Sequence, residues 1–353
     1  MSSVPALLSD LLRAAGPPGA ESAPVGVWRD AAASFATVAT DPMGTPTALV
    51  DGTADGPTLA IVGHIDEIAL LVSHITDDGF LKVVASGGWD AQVLVGQRVE
   101  VLTAAGPIPG VVGRKPPHLM EEEDRKKAVQ LKRLHVDIGA RDGEQARELV
   151  QIGDQIVIAG EPVELPNGRL ASRSLDNRLG TYIALEVARR VAESGGAQGA
   201  VVAVAAVQEE IGALGAGTAT YGLEPDLAIA VDVTHATDAP GVEPDEVGHH
   251  PLGSGPVLTR GPIPHPGLFE RLRKVADDSD IPFTIEAEGR STYTDADAIH
   301  LSRRGVPVTV VGIPLRYMHS PVEVVELADV EAVVALLTAF AKSLEPNSDF
   351  SRW

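Results

Sequence analysis

The chain has 353 residues, room for about two domains of roughly 150 residues each and for a core that needs no cross-links. It carries 28 Lys and Arg against 49 Asp and Glu, a formal charge of −21. A field of that sign repels phosphates and anionic lipid, which argues against nucleic-acid and membrane partners. Cysteine is absent, so there is no disulfide framework, thiolate nucleophile or Cys-based zinc site, and any metal must rest on His, Asp and Glu.

Residues 4–15 (VPALLSDLLRAA) have helical spacing and stop at Gly16-Pro17-Pro18-Gly19. No basic segment leads into an apolar one at the N-terminus, and no run approaches the about 18 apolar residues of a bilayer span; a soluble, cytoplasmic protein is expected. Residues 58–66 (TLAIVGHID) form an apolar, β-branched run that ends in polar residues, as do 200–207 (AVVAVAAV), 227–233 (LAIAVDV) and 306–313 (VPVTVVGI). Apolarity without alternation is the mark of parallel strands covered on both faces. Helical patterns lie at 177–191, 266–277 and 327–344. Between 69 and 162 the character changes to short segments such as FLKVVAS and DQIVIAG, broken by Gly and Pro, with a charge-dense run at 121–127 (EEEDRKK) that reads as a solvated, mobile loop. The expected fold is α/β. Residues 1–68 plus 163–353 build a mixed, mostly parallel sheet flanked by helices, and 69–162 form an inserted, small β-rich domain.

The residue types suited to chemistry fall at one place in this pattern. His64 and Asp66 end the first apolar run, Glu209 and Glu210 follow the second, Asp232 lies near the end of the third, and His319 follows the fourth after a Pro-containing turn. Sites in open α/β sheets form outside the carboxyl ends of the strands, so four runs deliver a carboxylate or imidazole to one edge. His64 and Asp66 are two apart and share a face of an extended chain; Asp66 could set the tautomer of a metal-binding His64, or His64 could be a satisfied core histidine. Glu209 and Glu210 reach one site only if the chain turns there, leaving one carboxylate for a metal and the other as a general base; otherwise they are an exposed acidic loop. Asp232 inside an apolar strand is costly unless paired or metal-bound. Asp176 opens a helix, where a capping role is ordinary, and His319 alone reads as a turn histidine.

Together these segments resemble the tetrahedral (TET) aminopeptidases, also called the glutamyl aminopeptidase family, di-metal exopeptidases of which some have been labelled cellulases. The matching stretches are GHIDEI at 63–68, SLDNRLG at 174–180, VQEEIGALGA at 207–216, VDVTHATDAPG at 231–241, TDADAIH at 294–300 and RYMHSPVEVVEL at 316–327, with GRKPPHLM at 113–120 in the inserted domain. The resemblance implies a fold of the di-zinc exopeptidase type and two divalent ions, Zn or Co and alternatively Mn. Asp176 is the implied bridging ligand; His64 and Asp232 complete one metal, Glu210 and His319 the other. Glu209 is the implied general base and Asp66 the residue that orients His64. The same resemblance implies an unusual cis bond between Asp176 and Asn177, peptide substrates, and a homo-oligomer, dodecameric and tetrahedral, with the insertion as dimerisation domain. N and O donors of this kind suit those metals with little discrimination.

Two departures stand out: Ala69 replaces the family's Gly after D-E-I, and Gly289-Arg290-Ser291-Thr292-Tyr293 is bulkier than the usual Gly-rich lead-in, which bears on the substrate pocket. The preferred N-terminal residue is not written in the sequence; Arg290 and Arg316 could pair an acidic one, or be surface or structural arginines. Two rival functions remain at this level. A glycoside hydrolase needs paired carboxylates but neither metal nor imidazole, and a non-catalytic scaffold has no use for Glu209. The charge also has a location. Between 191 and 259 there are ten acids and no Lys or Arg.

Overall fold

The structure is a computed structural model described over residues 4–352. The first helix, Ala6–Arg13, buries Leu8, Leu11 and Leu12, the i, i+3, i+4 stripe that makes a short segment helical once it packs. Three strands follow, β1 (Thr37–Thr40), β2 (Pro46–Val50) and β3 (Gly56–His64). The chain then leaves for a closed barrel of β4 (Ala69–Ile75), β5 (Leu81–Ser86), β6 (Arg98–Thr103), β7 (Gly106–Gly113), β8 (His135–Asp137) and β9 (Gln155–Ile158), in the order β4-β5-β8-β7-β6-β9. The barrel has its own core, including Leu70, Leu81, Val101, Val136 and Ile156. Closure removes the edges that six short strands would otherwise expose. The run at 121–127 is not simply open: Glu122–Arg125 form a helical turn and Lys126 donates to Glu122 (2.9 Å), the i, i+4 pairing that supports one.

After the barrel come β10 (Val163–Leu165), β11 (Arg169–Ser172), β12 (Gly199–Ala206), β13 (Leu227–His235), β14 (Val257–Arg260), β15 (Thr284–Ala287), β16 (Val308–Leu315) and β17 (Glu323–Glu326). The main sheet has the order β1-β2-β12-β3-β13-β16-β14-β15, and β10-β11-β17 form a small separate sheet. The four central strands, β12, β3, β13 and β16, are mutually parallel; the antiparallel pairings lie towards the edges. These four are the apolar runs expected as strands. Alternation explains their continuous apolarity. On β3, Leu59 and Ile61 join a core with the helices Ala6–Arg13, Leu175–Glu193 and Leu327–Ser343, while Ala60 and Val62 face a second core with the helices Leu214–Leu223 and Ala296–His300.

The long helix Leu175–Glu193 lies hard against the sheet. A Cβ on Gly63 would come within 2.4 Å of the Gly180 backbone, and one on Gly180 within 2.4 Å of the Val231 carbonyl oxygen. Only glycine allows this approach, and it sets the start of the helix at the carboxyl ends of β3 and β13. Among the described residues no helix is long and apolar enough to cross a membrane.

Candidate active site

Because β12, β3, β13 and β16 are parallel, their carboxyl ends share one edge, and there the six strand-derived residues meet Asp176. His64, at the end of β3, places Nε2 3.1 Å from Asp176 Oδ1, 3.7 Å from Glu209 Oε2 and 4.0 Å from Asp232 Oδ1. His319 places Nε2 3.3 Å from Asp176 Oδ2 and 3.7 Å from Glu210 Oε1. The side chains form two groups able to hold a metal ion, His64-Asp176-Asp232 and Asp176-Glu210-His319, which share Asp176. Asp176 is buried and its bond to Asn177 is cis. Asn177 donates through Nδ2 to the Val231 carbonyl (2.8 Å), tying the helix start to β13.

Both histidines are held with one nitrogen turned away from the cluster. Nδ1 of His64 lies 3.3 Å from the Asp66 carbonyl and 3.5 Å from its carboxylate, and Nδ1 of His319 lies 2.9 Å from the carbonyl of Gly88 in the barrel. A proton on each Nδ1 is therefore bonded, which leaves each Nε2 lone pair turned into the cluster and able to ligate. The turn required at Glu209-Glu210 is present. Gln208 has φ 58°, and Asp66, fully buried, accepts from the backbone N–H of Glu209 (3.0 Å) and of Glu210 (3.1 Å). Asp66 thus supports the acidic turn as well as His64.

The charges do not balance among themselves. Burial lifts the carboxyl of Glu209 above its ordinary range and those of Glu210 and Asp232 well above it, and the neighbouring Asp176 carboxylate adds to the effect of burial. Burial would also raise Asp176, but hydrogen bonds from His319 and His64 hold it below the ordinary range. Burial would lower His64, yet Glu209, Asp176 and Asp66 around it raise it well above a free imidazole. Glutamates and aspartates crowded in this way, with N and O donors converging in two shared groups, fit divalent cations.

Three contributors were not legible in the sequence. Glu323 is buried and accepts from the backbone N–H of Asp176 (3.1 Å) and of His319 (3.0 Å), joining the shared aspartate to the second histidine. Its only signal was its place four residues after His319. Glu67 is buried between Arg173 and the fully buried Arg178, whose guanidinium also donates to the carbonyls of Leu11 (2.6 Å) and Ala14 (3.1 Å). This network ties the first helix to the segment that carries Asp176. Asp295 is buried with neither carboxylate oxygen hydrogen-bonded, and burial and the nearby Glu209 raise it well above its ordinary value.

The clusters open into a cavity of about 650 Å³ walled by Asp232, Thr234, Thr259, Glu286, Glu288 and Tyr293 among others. The departing loop forms its lip: Asp297 accepts from Ser291 Oγ, from Thr292 N (3.0 Å) and Oγ1 (2.7 Å) and from Tyr293 N (3.2 Å). Arg316 is bonded to Asp238 through both guanidinium arms (2.9 and 2.5 Å).

A cleft of this kind, with two histidine–carboxylate groups around one aspartate and a further glutamate beside them, has the donor set of a metal-dependent hydrolase. The chain belongs to the M42 glutamyl aminopeptidase family, whose model matches residues 44–336. It is 36% identical to a lysyl aminopeptidase of Pyrococcus furiosus over 310 residues, 87% of each chain. It superposes on a TET aminopeptidase of Thaumarchaeota archaeon SCGC AB-539-E09 with a TM-score of 0.91 at 35% identity, covering 96% of both chains. The TET1 peptidase of Pyrococcus horikoshii, described as able to assemble into a tetrahedron or a large octahedral shell, gives a TM-score of 0.85 at 31% identity, with 96% of this chain and 99% of that one covered. The chain is an enzyme, an aminopeptidase that hydrolyses peptide bonds. The glycoside-hydrolase and scaffold alternatives fall away.

Proposed function

We propose that the chain removes N-terminal residues from peptides with two divalent cations, one held by His64 and Asp232, the other by Glu210 and His319, with Asp176 shared between them. The observation that carries this is the pair of groups meeting on Asp176. Bound cations of this type supply Lewis acidity to water and to the scissile carbonyl. Glu209 is the general base. It stands beside the cluster with its carboxyl raised by burial, which suits a group that must take a proton from water and return it to the leaving amine. Asp66 positions Glu209 and Glu210 through their backbone N–H groups and His64 through Nδ1, and Glu323 positions Asp176 and His319. The acidic lining of the cavity, Glu286 and Glu288 included, favours a free α-ammonium group over an uncharged acylated N-terminus. The metal identity rests on the donor chemistry alone, which accommodates Zn, Co or Mn.

The same proposal divides the chain into a catalytic domain, 1–68 plus 163–353, and a dimerisation domain, 69–162, in a homo-oligomer of the tetrahedral, dodecameric kind. Exposed apolar side chains on and beside the barrel, including Val84, Leu119 and Ile152, support an association surface there. Counting metal by mass spectrometry on the purified protein tests the site: about two ions per chain in the wild type, one in His319→Ala and none retained in Asp176→Asn. A wild-type protein that is active after exhaustive chelation, or that binds one ion regardless of His319, overturns the assignment. A stable monomer by light scattering overturns the assembly.

A further inference from the structure

We propose that the cavity selects a basic N-terminal residue, lysine or arginine, through Glu286 and Glu288; this rests on the aminopeptidase site proposed above. Both glutamates line the cavity that opens from His64 and Asp176. The inward face of the sheet there carries Asp232 and Thr234 of β13. Thr259 of β14 is in register with Glu286 of β15, so these two share a face. Glu286 reaches back across the sheet, accepting from Thr234 Oγ1 at 2.6 Å. Thr234 is two residues beyond Asp232, about 6–7 Å along the strand, comparable to the reach of an extended lysine side chain. A substrate whose α-amino group lies among the cluster carboxylates thus has a carboxylate at the far end of its side chain.

Glu288 is two residues further along the same face. Its carboxyl is raised by burial, then by Glu286 and Asp297, and no side chain among the described residues donates to it. Asp297 is spent on stapling Ser291, Thr292 and Tyr293. Among the described residues no Lys or Arg lines the cavity. The two cations able to favour an acidic substrate are accounted for: Arg316 is bonded to Asp238, and Arg290 is exposed and does not line the cavity. Arg260, next to Thr259, turns to the other face and stacks over Phe269 at 5.5 Å. Tyr293 and Met318 supply the apolar wall along which the methylenes of a long cationic side chain run.

The test is a panel of lysyl, arginyl, leucyl and glutamyl p-nitroanilides, with the metal-loaded full-length enzyme and its Glu288→Gln, Glu286→Gln and Glu288→Lys variants. The wild type is expected to give its highest kcat/KM on the basic substrates. Either Gln variant lowers the lysyl-to-leucyl ratio about ten-fold or more, mainly through KM, and Glu288→Lys raises the glutamyl-to-lysyl ratio. A wild type that prefers leucyl or glutamyl substrates, or Gln variants that leave the lysyl-to-leucyl ratio unchanged, overturns the assignment while leaving the metal site intact. Inactivity towards all four substrates after metal loading overturns the underlying site assignment, and this inference with it.

Discussion

Replacing Asp66 by asparagine tests how the catalytic turn is held. Asp66 is fully buried, and its two oxygens accept from two successive backbone N–H groups, Glu209 at 3.0 Å and Glu210 at 3.1 Å. The amide keeps the shape of the carboxylate but turns one acceptor into a donor. In either orientation one of the two N–H groups then faces an NH2, and one charge-assisted bond is lost. Such a bond is worth about 1.5–3 kcal/mol, so if that energy is what orders Glu209 against the substrate, kcat falls about 10- to 100-fold. Because Asp66 touches no substrate, KM changes little. The assay is steady-state hydrolysis of an aminoacyl p-nitroanilide at saturating metal, with thermal unfolding to confirm the fold. A variant whose kcat stays within about two-fold of wild type refutes the role given to Asp66.

Removing Glu67 leaves Arg173 and Arg178 buried with no carboxylate between them, and Glu67→Ala is expected to lower stability by about 3–5 kcal/mol; urea unfolding that shows less than about 1 kcal/mol contradicts this. The metal-free protein is expected to lose stability as pH rises from about 5 to 8. Glu209, Glu210, Asp232, Asp295 and Glu323 are raised, chiefly by burial, so the folded state binds more protons than the unfolded one; His64 and His319, also raised, act in the same sense. Asp176, held low, loses its contribution only below the ordinary carboxylate range, outside this window. Cations replace those protons, so the Tm gain on adding Zn or Co is larger at pH 8 than at pH 5.5; an equal gain at both contradicts the charge account.

The parallel core was legible because burial on both faces removes polar residues, so β3, β12, β13 and β16 each stood out as apolar runs. Once they were strands, parallel pairing alone placed His64, Glu209, Glu210, Asp232 and His319 on one edge. Asp176 was ambiguous, since a helix-start aspartate looks the same whether it caps or bridges; the fit of Gly63 against Gly180, 117 positions apart in sequence, is what brings it to the cluster. Glu67 and Glu323 were hidden for the same reason. Arg178 is 111 residues from Glu67, and Asp176 is 147 from Glu323; the only local mark on Glu323 is its place four residues after His319. The barrel was legible as β-rich but not as closed, because its short strands carry little periodicity and closure depends on pairing β4 with β9. Arg316 was open in sequence between a substrate partner and a structural arginine, and the fold shows Asp238 holding it.

The proposed function stands on Glu209 working as a general base beside a divalent-metal site to hydrolyse the bond after a free N-terminal residue. Turnover of aminoacyl p-nitroanilides by the wild type and Glu209→Gln, each assayed metal-free and with Zn or Co restored, tests it most directly. Turnover is expected only with metal restored, with kcat in Glu209→Gln lower than wild type by about 10²- to 10⁴-fold at unchanged metal content. Equal turnover by the two proteins, or full activity in the metal-free wild type, contradicts it.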